Sequence, residues 1–271
     1  MIESHAGDAA APGSGAVPSD GVPSRTSQAV ATIRAQLVRP RTPAGDPDAQ
    51  QRLCAGMRPA QMGPRLAQIP ARTRWVDAQV LAAIERGTGQ VVILGAGYDD
   101  RALRFRSPGV RFFELDHPGT QNDKRRRLER MGADTTALTL APADFSRDDV
   151  DAVLGRGGHD RQAPSLFVCE GLLVYLDQET IAALLSGLRR RAASRSALAA
   201  SLAVHADGMD SRAVIAAANA ARASAVSEPW RTILPAAAHL DLLRGAGWLV
   251  DESADPRPAS EHSLLVTARP A

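Results

Sequence analysis

The side chains best suited to chemistry follow apolar runs that have the composition of buried strands. Residues 90–94 form such a run and lead directly into Gly95-Ala96-Gly97. Carboxylates stand at or just after the ends of three later runs, namely Asp116, Asp144 and Glu170. The carboxyl ends of parallel strands meet at one edge of a sheet, where ligands bind in doubly wound folds. We therefore expect these residues to line one binding site.

The sequence Gly95-Ala96-Gly97 is typical of a turn from a strand into a helix close to a ligand, because glycine lets the backbone bend sharply. The third glycine of a dinucleotide-binding loop is absent, and Asp100 stands in its place. An acidic side chain at a helix start would repel a pyrophosphate. The loop therefore favours a cofactor without a pyrophosphate, such as S-adenosylmethionine (SAM). A strand–helix turn without a ligand is the alternative.

Two of the carboxylates have positions that suit a nucleoside. Asp116 ends the second predicted strand and can accept hydrogen bonds from both ribose hydroxyls. Asp144 can accept one from an adenine amino group, while its neighbour Phe145 flanks the ring. Each carboxylate also precedes a predicted helix, whose first turn it would cap in a purely structural role. For Asp116, spacing alone does not distinguish a nucleoside contact from a helix cap. For Asp144, spacing alone favours the helix cap.

Two further charged side chains suit the amino acid part of SAM. Glu170 follows the fourth predicted strand, beside the point where strand order reverses, and would lie near the amino acid group or the sulfonium. Arg72 precedes the first strand and can bind a carboxylate through two parallel N–H groups. The alternatives are an exposed glutamate at a strand end and a surface arginine on an amphipathic helix. For Arg72 alone, the surface alternative is favoured.

Strands and helices alternate along the chain after residue 89, and this order predicts a parallel sheet with helices on both faces. The predicted strands are residues 90–94, 110–116, 135–140, 165–169 and 197–204. The predicted helices between them are residues 101–105, 119–131, 147–154 and 178–193. Residues 248–250 and 263–268 then form strands with no helix between them, which predicts an antiparallel hairpin. The fold class is therefore α/β, with a Rossmann-like sheet and terminal hairpin as in class I methyltransferases.

The chain divides into three regions by composition and periodicity. Residues 1–24 are rich in Ala, Pro, Gly and Ser without periodicity, and we expect them to be disordered. Residues 25–89 contain helical patterns, near 27–38, 48–57 and from 72, and would form a helical N-terminal cap. Residues 90–271 would form the Rossmann-like domain. Within it, residues 205–235 are Ala-rich and interrupted by prolines, and this insertion is a natural helical lid over a substrate.

Composition narrows the class of protein. The 271 residues carry a net charge of +2, which is too small to predict a nucleic-acid or membrane partner. No apolar stretch approaches about 18 residues and no signal peptide is evident, so we expect a cytoplasmic protein. Cys54 and Cys169 are far apart, and His, Cys, Asp and Glu show no metal-ligand spacing, so we expect neither a disulfide nor a metal. Monomer and homodimer both stay open.

Five motifs, in order along the chain, resemble those of one family. They are Ala71–Asp77 (ARTRWVD), Leu94–Asp99 (LGAGYD), Phe113–Pro118 (FELDHP), Ala143–Phe145 (ADF) and Cys169–Leu176 (CEGLLVYL). Together, over about residues 27–195, they look like the motifs of the leucine carboxyl methyltransferase family. That family includes bacterial SAM-dependent and polyketide O-methyltransferases.

The resemblance implies a SAM site and its covering. It implies SAM contacts from Arg72, Gly95, Asp116, Asp144, Phe145 and Glu170, to which we add the neighbours Ala96, Gly97 and His117. It also implies that the N-terminal helices and residues 205–235 cover the substrate. The chain departs from the family at Asp100, where a threonine is usual, and its C-terminal part is short.

The expected activity is SAM-dependent transfer of a methyl group to a carboxyl or hydroxyl oxygen of a small molecule, in bacterial secondary metabolism. A carboxylate acceptor is ionised at neutral pH and needs no base, whereas an alcohol or phenol needs one within hydrogen-bond reach. His205, which follows the fifth strand, and Tyr175 are the expected catalytic residues, with His117 and His239 as further candidates. The alternatives are a SAM-binding protein with a non-methylating reaction and an NAD(P)-dependent oxidoreductase.

Overall fold

The computed structural model describes residues 21–61, 66–222, 228–251, 257–260 and 262–271. Of the segment predicted to be disordered, residues 1–20 lie outside the described residues. Ser24 belongs to the described part and caps the first helix, because its hydroxyl oxygen accepts a hydrogen bond from the N–H of Ser27 (3.0 Å). The N–H of Ser24 donates in turn to the hydroxyl of Thr120 (3.1 Å). The start of the helical region is thereby fixed against the Rossmann-like part.

The sheet in the described part of the chain has eight strands: β1 Gln90–Leu94, β2 Arg111–Asp116, β3 Leu138–Pro142, β4 Ser165–Cys169, β5 Ala197–Ala203, β6 Trp248–Val250, β7 Arg257–Ser260 and β8 Ser263–Pro270. Seven of them lie side by side in the order β3-β2-β1-β4-β5-β8-β6. Strands β1 to β5 pair in parallel, whereas β8 runs antiparallel to its partners. The predicted α/β fold with a Rossmann-like sheet is confirmed.

The terminal strands confirm the predicted hairpin and add a strand to it. β6 and β8 pair antiparallel, with Trp248 opposite Pro270. β8 lies between β5 and β6, so the strand closest to the chain end occupies the inner position. The added strand, β7, also pairs antiparallel with β8, with Arg257 opposite Leu265.

The helices that the structure describes are α1 Arg25–Arg34, α2 Ala49–Leu53, α3 Ile69–Glu85, α4 Arg101–Arg104, α5 Pro118–Arg130, α6 Val150–Arg156, α7 Gln178–Arg191, α8 Ser211–Ala220 and α9 Ala236–Gly245. Aspartates begin three of them, because the side chains of Asp149, Asp177 and Asp210 accept hydrogen bonds from first-turn N–H groups. None of these described helices is long and apolar enough to span a membrane.

Several predicted elements have different bounds in the structure. β3 begins at Leu138 rather than at residue 135, because the N–H of Leu138 closes a turn on the carbonyl oxygen of Thr135. α6 begins at Val150 rather than at residue 147, because Asp149 is its cap. The helix predicted over 48–57 ends already at Leu53, and the first helix, predicted near residues 27–38, likewise ends already at Arg34. Side-chain caps and turns thus set boundaries that apolar periodicity alone places less accurately.

The sheet separates two apolar layers. Both β1 and β4 are buried along their whole length, as expected for central parallel strands. On one face, Val80 of α3 belongs to the same apolar cluster as Val91 of β1. On the other, α7 packs through Leu185 in the same cluster as Phe167 of β4. Strand order reverses between β1 and β4, so the carboxyl ends of these two strands border the crevice where ligands bind in such sheets.

The only lysine of the chain is buried beneath the loop that follows β1. Lys124 lies on α5 and donates to the carbonyl oxygen of Asp99 (2.7 Å) and to the carboxylate of Glu114 on β2. Burial raises the pKa of Glu114 to about 7, although the neighbouring ammonium acts in the opposite direction. The ammonium therefore joins α5, β2 and the loop at one buried point.

Replacing Lys124 with methionine should destabilise the protein, because the Glu114 carboxylate then loses its donor inside the core. We expect the free energy of unfolding to fall by about 3–5 kcal/mol at a pH well above the Glu114 pKa. The loss should be smaller at lower pH, where Glu114 takes up a proton and no longer needs a counter-charge. Urea unfolding at both pH values measures the effect.

The control for this experiment is the double variant Lys124→Met/Glu114→Gln. It should lose less stability than Lys124→Met alone, because no charge is left unpaired. Equal losses in both variants at both pH values would contradict the role assigned to the ion pair.

Candidate functional site

A cavity of about 500 Å³ lies at the carboxyl ends of the parallel strands. Each of β1 to β5 contributes wall residues at or after its last positions. α1 covers one side of the cavity with Ser27, Val30 and Arg34, and α8 reaches it with Val214 and Ala218. The volume is within the range of cofactor and small-molecule sites, about 300–1,000 Å³.

The structure brings every residue predicted to bind the cofactor to this one cavity. These wall residues are Arg72, Gly95, Ala96, Gly97, Asp116, His117, Asp144, Phe145 and Glu170. Tyr175 also lies on the wall, whereas His205 does not. Within the described residues, no group of three or more His, Cys, Asp and Glu side chains could hold a metal ion. The contact of each wall residue with a cofactor stays a prediction.

The two glycines after β1 satisfy both a backbone conformation and a packing constraint. Gly95 has φ 62° and Gly97 has φ 52°, in the left-handed region where L side chains are strained. A Cβ on Gly95 would lie 2.9 Å from Cδ1 of Leu172, and one on Gly97 would lie 2.7 Å from Cβ of Ser27. The loop is therefore packed between α1 and the segment after β4, with its backbone on the cavity wall.

Asp116 ends β2, and its side chain holds the loop Gly95-Ala96-Gly97, which we call the glycine loop. Its Oδ2 accepts a hydrogen bond from the N–H of Gly97 (2.5 Å), and its Oδ1 accepts one from the N–H of His117 (2.7 Å). Burial raises the pKa of Asp116 to about 6. The helix-cap alternative is not observed, because His117 caps α5 by accepting from Gly119. Each carboxylate oxygen can accept a further hydrogen bond in the cavity.

Asp144 shapes the loop after β3. Its Oδ1 accepts from the N–H and the hydroxyl of Ser146 (3.0 and 2.6 Å), and its Oδ2 accepts from Nε of Arg147 (2.8 Å). Burial opposes its charge, but these hydrogen bonds hold the pKa of Asp144 below its usual value. The favoured alternative, that Asp144 caps the next helix, is wrong because Asp149 is that cap. Phe145 follows directly on the cavity wall.

Glu170, the first residue after β4, is buried among arginines from three helices. Its Oε1 accepts from Nη2 of Arg34 (2.7 Å) and Nε of Arg72 (3.0 Å), and its Oε2 accepts from Nη1 of Arg101 (2.8 Å). Burial opposes ionisation, yet the three arginines hold the pKa of Glu170 well below its usual range. The alternative of an exposed glutamate is therefore wrong. The three arginines balance the charge of Glu170 and occupy both of its oxygens. Its role is therefore to hold the arginines in position.

Asp99 and Asp100, although adjacent, belong to different contacts. Asp99 accepts from Arg34 (3.2 Å) and Arg101 (2.5 Å) and so joins Glu170. Asp100 pairs with Arg39 (2.6 Å) and is not on the cavity wall. The expectation that Asp100 repels a pyrophosphate is therefore wrong, because its charge is balanced away from the cavity. We call the residues around Glu170 the arginine cluster: Arg34, Arg72, Arg101, Asp99 and Glu170.

Arg72 lies on α3 and is buried, so the surface alternative is wrong. Among the described residues it donates only from Nε, to Glu170, and its two terminal nitrogens have no hydrogen-bond partner. These nitrogens lie beside Gly171, where a Cβ would be 3.1 Å from Nη2. The missing side chain at Gly171 thus leaves room for a second group to reach the guanidinium from the cavity.

One of the two expected catalytic side chains lies on the cavity wall and the other does not. Tyr175 ends a 3₁₀ turn, Leu173–Tyr175, on the wall. In His205, Nδ1 is 2.8 Å from the carbonyl oxygen of Ala206 and Nε2 is 2.7 Å from the hydroxyl of Ser211. The expected position of His205 at the cavity is therefore wrong. Its ring instead connects the end of β5 to the start of α8.

Several wall residues were missed because they belong to no motif. Arg34 reaches the cavity because α1 folds over the glycine loop, and Arg222 and Trp230 reach it from the predicted lid. The chain contains 32 lysines and arginines, so an arginine at a helix end carries no distinguishing signal. The tertiary fold alone selects which of them face the cavity.

Comparisons with known sequences point to one family. The family model for leucine carboxyl methyltransferases matches residues 27–189. A Mycobacterium sp. (strain KMS) protein named "Putative S-adenosyl-L-methionine-dependent methyltransferase" is 42% identical over 127 residues, which are 46% of this chain and 42% of that protein. The match thus spans less than half of the length of that relative. A similarly named Streptomyces avermitilis protein is 32% identical over 205 residues, 74% of this chain and 69% of that protein.

Solved structures with the same fold are distant in sequence. The "putative methyltransferase" from Thermobifida fusca YX is 16% identical with a TM-score of 0.57, and the match covers 93% of this chain and 96% of that chain. Magnesium protoporphyrin IX methyltransferase from Synechocystis PCC 6803, solved with bound SAH, is 14% identical with a TM-score of 0.52, covering 83% and 94%. At these identities the likeness shows the fold.

Replacing Glu170 with glutamine should destabilise the protein even without a ligand, because the buried arginine cluster would lose a negative charge. We expect a loss of about 3–5 kcal/mol in the free energy of unfolding, measured with urea. The matched control is Arg190→Gln, which breaks the pairs of this exposed arginine with Asp149 (3.1 Å) and Asp151 (3.0 Å). That control should cost at most about 1 kcal/mol. Equal losses in the two variants would show that the cluster does not stabilise the fold.

Proposed function

The chain belongs to the leucine carboxyl methyltransferase family, and on that premise we propose that it is a SAM-dependent O-methyltransferase. The methyl group would pass to a carboxyl or hydroxyl oxygen of a small molecule. One observation carries the proposal beyond family membership. The glycine loop, Asp116, the Asp144 loop and Glu170 all line a single cavity at the reversal of strand order.

The nucleoside half of SAM suits the wall formed by β1, β2 and the loop after β3. Asp116 is fixed by two backbone N–H groups, so its remaining lone pairs are held in place for two ribose hydroxyls. Phe145 offers an apolar ring for adenine. An adenine amino group at Asp144 would share that carboxylate with Ser146 and Arg147, and the side chain of Arg147 is 64% exposed and can move.

The amino acid half of SAM suits the arginine cluster. The terminal nitrogens of Arg72, which have no partner among the described residues, are donors for a carboxylate, and Glu170 holds that guanidinium in place. Arg34 lines the same wall, and its Nε is a buried donor without a partner among the described residues. A bound carboxylate would accept hydrogen bonds from these donors of Arg72 and Arg34, and Glu170 serves as a positioning residue.

When bound, SAM supplies an electrophilic methyl group on a sulfonium sulfur. The protein must hold the acceptor oxygen in line with the carbon–sulfur bond and exclude water, and orientation accounts for most of the rate. α1 and α8 cover the cavity and provide that exclusion. A carboxylate acceptor is already ionised and needs no base to attack the methyl carbon. A hydroxyl acceptor must lose its proton to a base as the new oxygen–carbon bond forms. Tyr175 is the predicted catalytic side chain that remains on the wall.

An NAD(P)-dependent oxidoreductase is the rival function. The argument from Asp100 against a dinucleotide does not hold, because that side chain is paired with Arg39 away from the cavity. A carboxylate at the end of β2 also serves the ribose of dinucleotides. Family membership favours SAM, and a direct binding comparison separates the two cofactors.

Calorimetry should show that S-adenosylhomocysteine (SAH) binds and that NADPH does not. The affinity for SAH should rise as the pH increases through about 6, the pKa of Asp116, because only the ionised carboxylate can accept both ribose hydroxyls. Asp116→Asn should weaken binding about 10- to 100-fold at neutral pH, equivalent to about 1–3 kcal/mol, and should flatten this pH dependence.

The matched control is Asp160→Asn, an exposed aspartate before β4 and outside the cavity wall. It should bind SAH like the unaltered protein at every pH. Tighter binding of NADPH than of SAH would overturn the proposed cofactor. Unchanged SAH affinity in Asp116→Asn would remove Asp116 from the site.

A further inference from the structure

The part of the cavity wall beyond the cofactor residues contains a tryptophan and an arginine in contact. Arg222 follows the end of α8, and its guanidinium carbon lies 4.2 Å from the ring centre of Trp230. Asn219 fixes this arrangement, because its side chain donates to the carbonyl oxygen of Trp230 (2.9 Å) and accepts from its N–H (2.8 Å). Both Arg222 and Trp230 line the cavity.

Three donor nitrogens of this pair are buried without an acceptor among the described residues. They are Nε and Nη2 of Arg222 and Nε1 of Trp230, and none has a hydrogen-bond partner in the part of the chain that the structure describes. Stacking on an aromatic ring stabilises a guanidinium but leaves its N–H groups unsatisfied. A buried donor without an acceptor costs about 1–3 kcal/mol, and more when it is charged. Such a cluster is expected where a ligand supplies the missing acceptor.

The chemistry of the missing acceptor follows from the geometry of the donors. Nε and Nη2 form one edge of the guanidinium, and their N–H bonds are parallel, which matches the two oxygens of a carboxylate. Glu228 and Asp177 also line the cavity, and their negative charges oppose a doubly charged group such as a phosphate. A singly charged, planar carboxylate therefore suits the site best.

We propose that Arg222 and Trp230 form a receptor for a carboxylate carried by the methyl acceptor. This inference rests on the proposed function, because it assigns these residues to the acceptor side of the same cavity. It defines the substrate class as small organic acids with an apolar body, since Leu202, Val214 and Ile233 line the same cavity. α8 has no fully buried residue, so a small shift of this helix can admit the carboxylate to the shielded guanidinium edge.

The experiment compares acids with their uncharged counterparts. Calorimetry measures the binding of benzoate, cinnamate and octanoate, each beside its primary amide, to the full chain with and without saturating SAH. We expect at least one acid to bind about 100-fold more tightly than its amide. The amide carries no charge, and its NH2 group is a donor that would face the N–H donors of Arg222 and Trp230. Arg222→Met should abolish this preference while the affinity for SAH stays within about twofold.

Two further variants keep the test specific. Trp230→Phe keeps an aromatic ring beside the Arg222 guanidinium but removes the indole N–H, and it should weaken binding of the acid a few-fold, because one of the three donor nitrogens is lost. Arg212→Met, an exposed arginine on the same helix and outside the cavity wall, should change nothing. Unchanged SAH affinity in Arg222→Met also shows that this variant is folded.

The outcomes separate this inference from the proposed function. SAH binding without any preference for acids over amides, or a preference that survives in Arg222→Met, would overturn the carboxylate receptor alone. A preference that depends on Arg222 in a protein that does not bind SAH would support the receptor and overturn the proposed cofactor.

Discussion

The structure depends on the neutralisation of carboxylates that the sheet removes from water. Glu170 follows β4 directly and Asp99 lies in the loop after β1, and both are buried, which makes an unpaired charge costly. Their counter-charges come from Arg34 and Arg101, and so from helices on both sides of β1 in the sequence. The cavity can therefore form only when the N-terminal helices pack against the sheet. The ion pairs join the helical N-terminal cap to the Rossmann-like domain, two regions that the sequence pattern separates.

This constraint explains the form of the cavity. Arg34 ends α1, so its pairs with Asp99 and Glu170 hold that helix over the glycine loop. At Gly97 the helix is so close that a Cβ would collide with Ser27. Asp116 lies on the wall of this cavity, and its burial raises its pKa to about 6. The ion pairs of Arg34 thus account for the position of α1 over the cavity.

The sequence predicts the sheet well because central parallel strands are uninterrupted apolar runs with turn residues at their ends. It also predicts which side chains meet, since Asp116 and Glu170 stand at strand ends that the topology brings to one edge. It fails where a side chain's partner is distant in the chain. The sequence predicts that the charge of Asp100 repels a pyrophosphate, but Arg39 and Arg104 balance that charge away from the cavity wall. His205 follows β5 as expected, but its hydrogen bonds hold it off the cavity wall.

Hydrogen exchange of the full chain, measured by mass spectrometry with and without SAH, tests most directly whether α1 and the strand ends enclose one nucleoside. We expect SAH to slow exchange together in residues 24–34, 94–100, 114–118, 143–147 and 169–172, because one ligand would contact all five segments. Residues 83–89, before β1 and at the other end of the sheet, should not change. Slower exchange that leaves out residues 24–34 or 114–118, or that NADPH produces equally, would contradict this account.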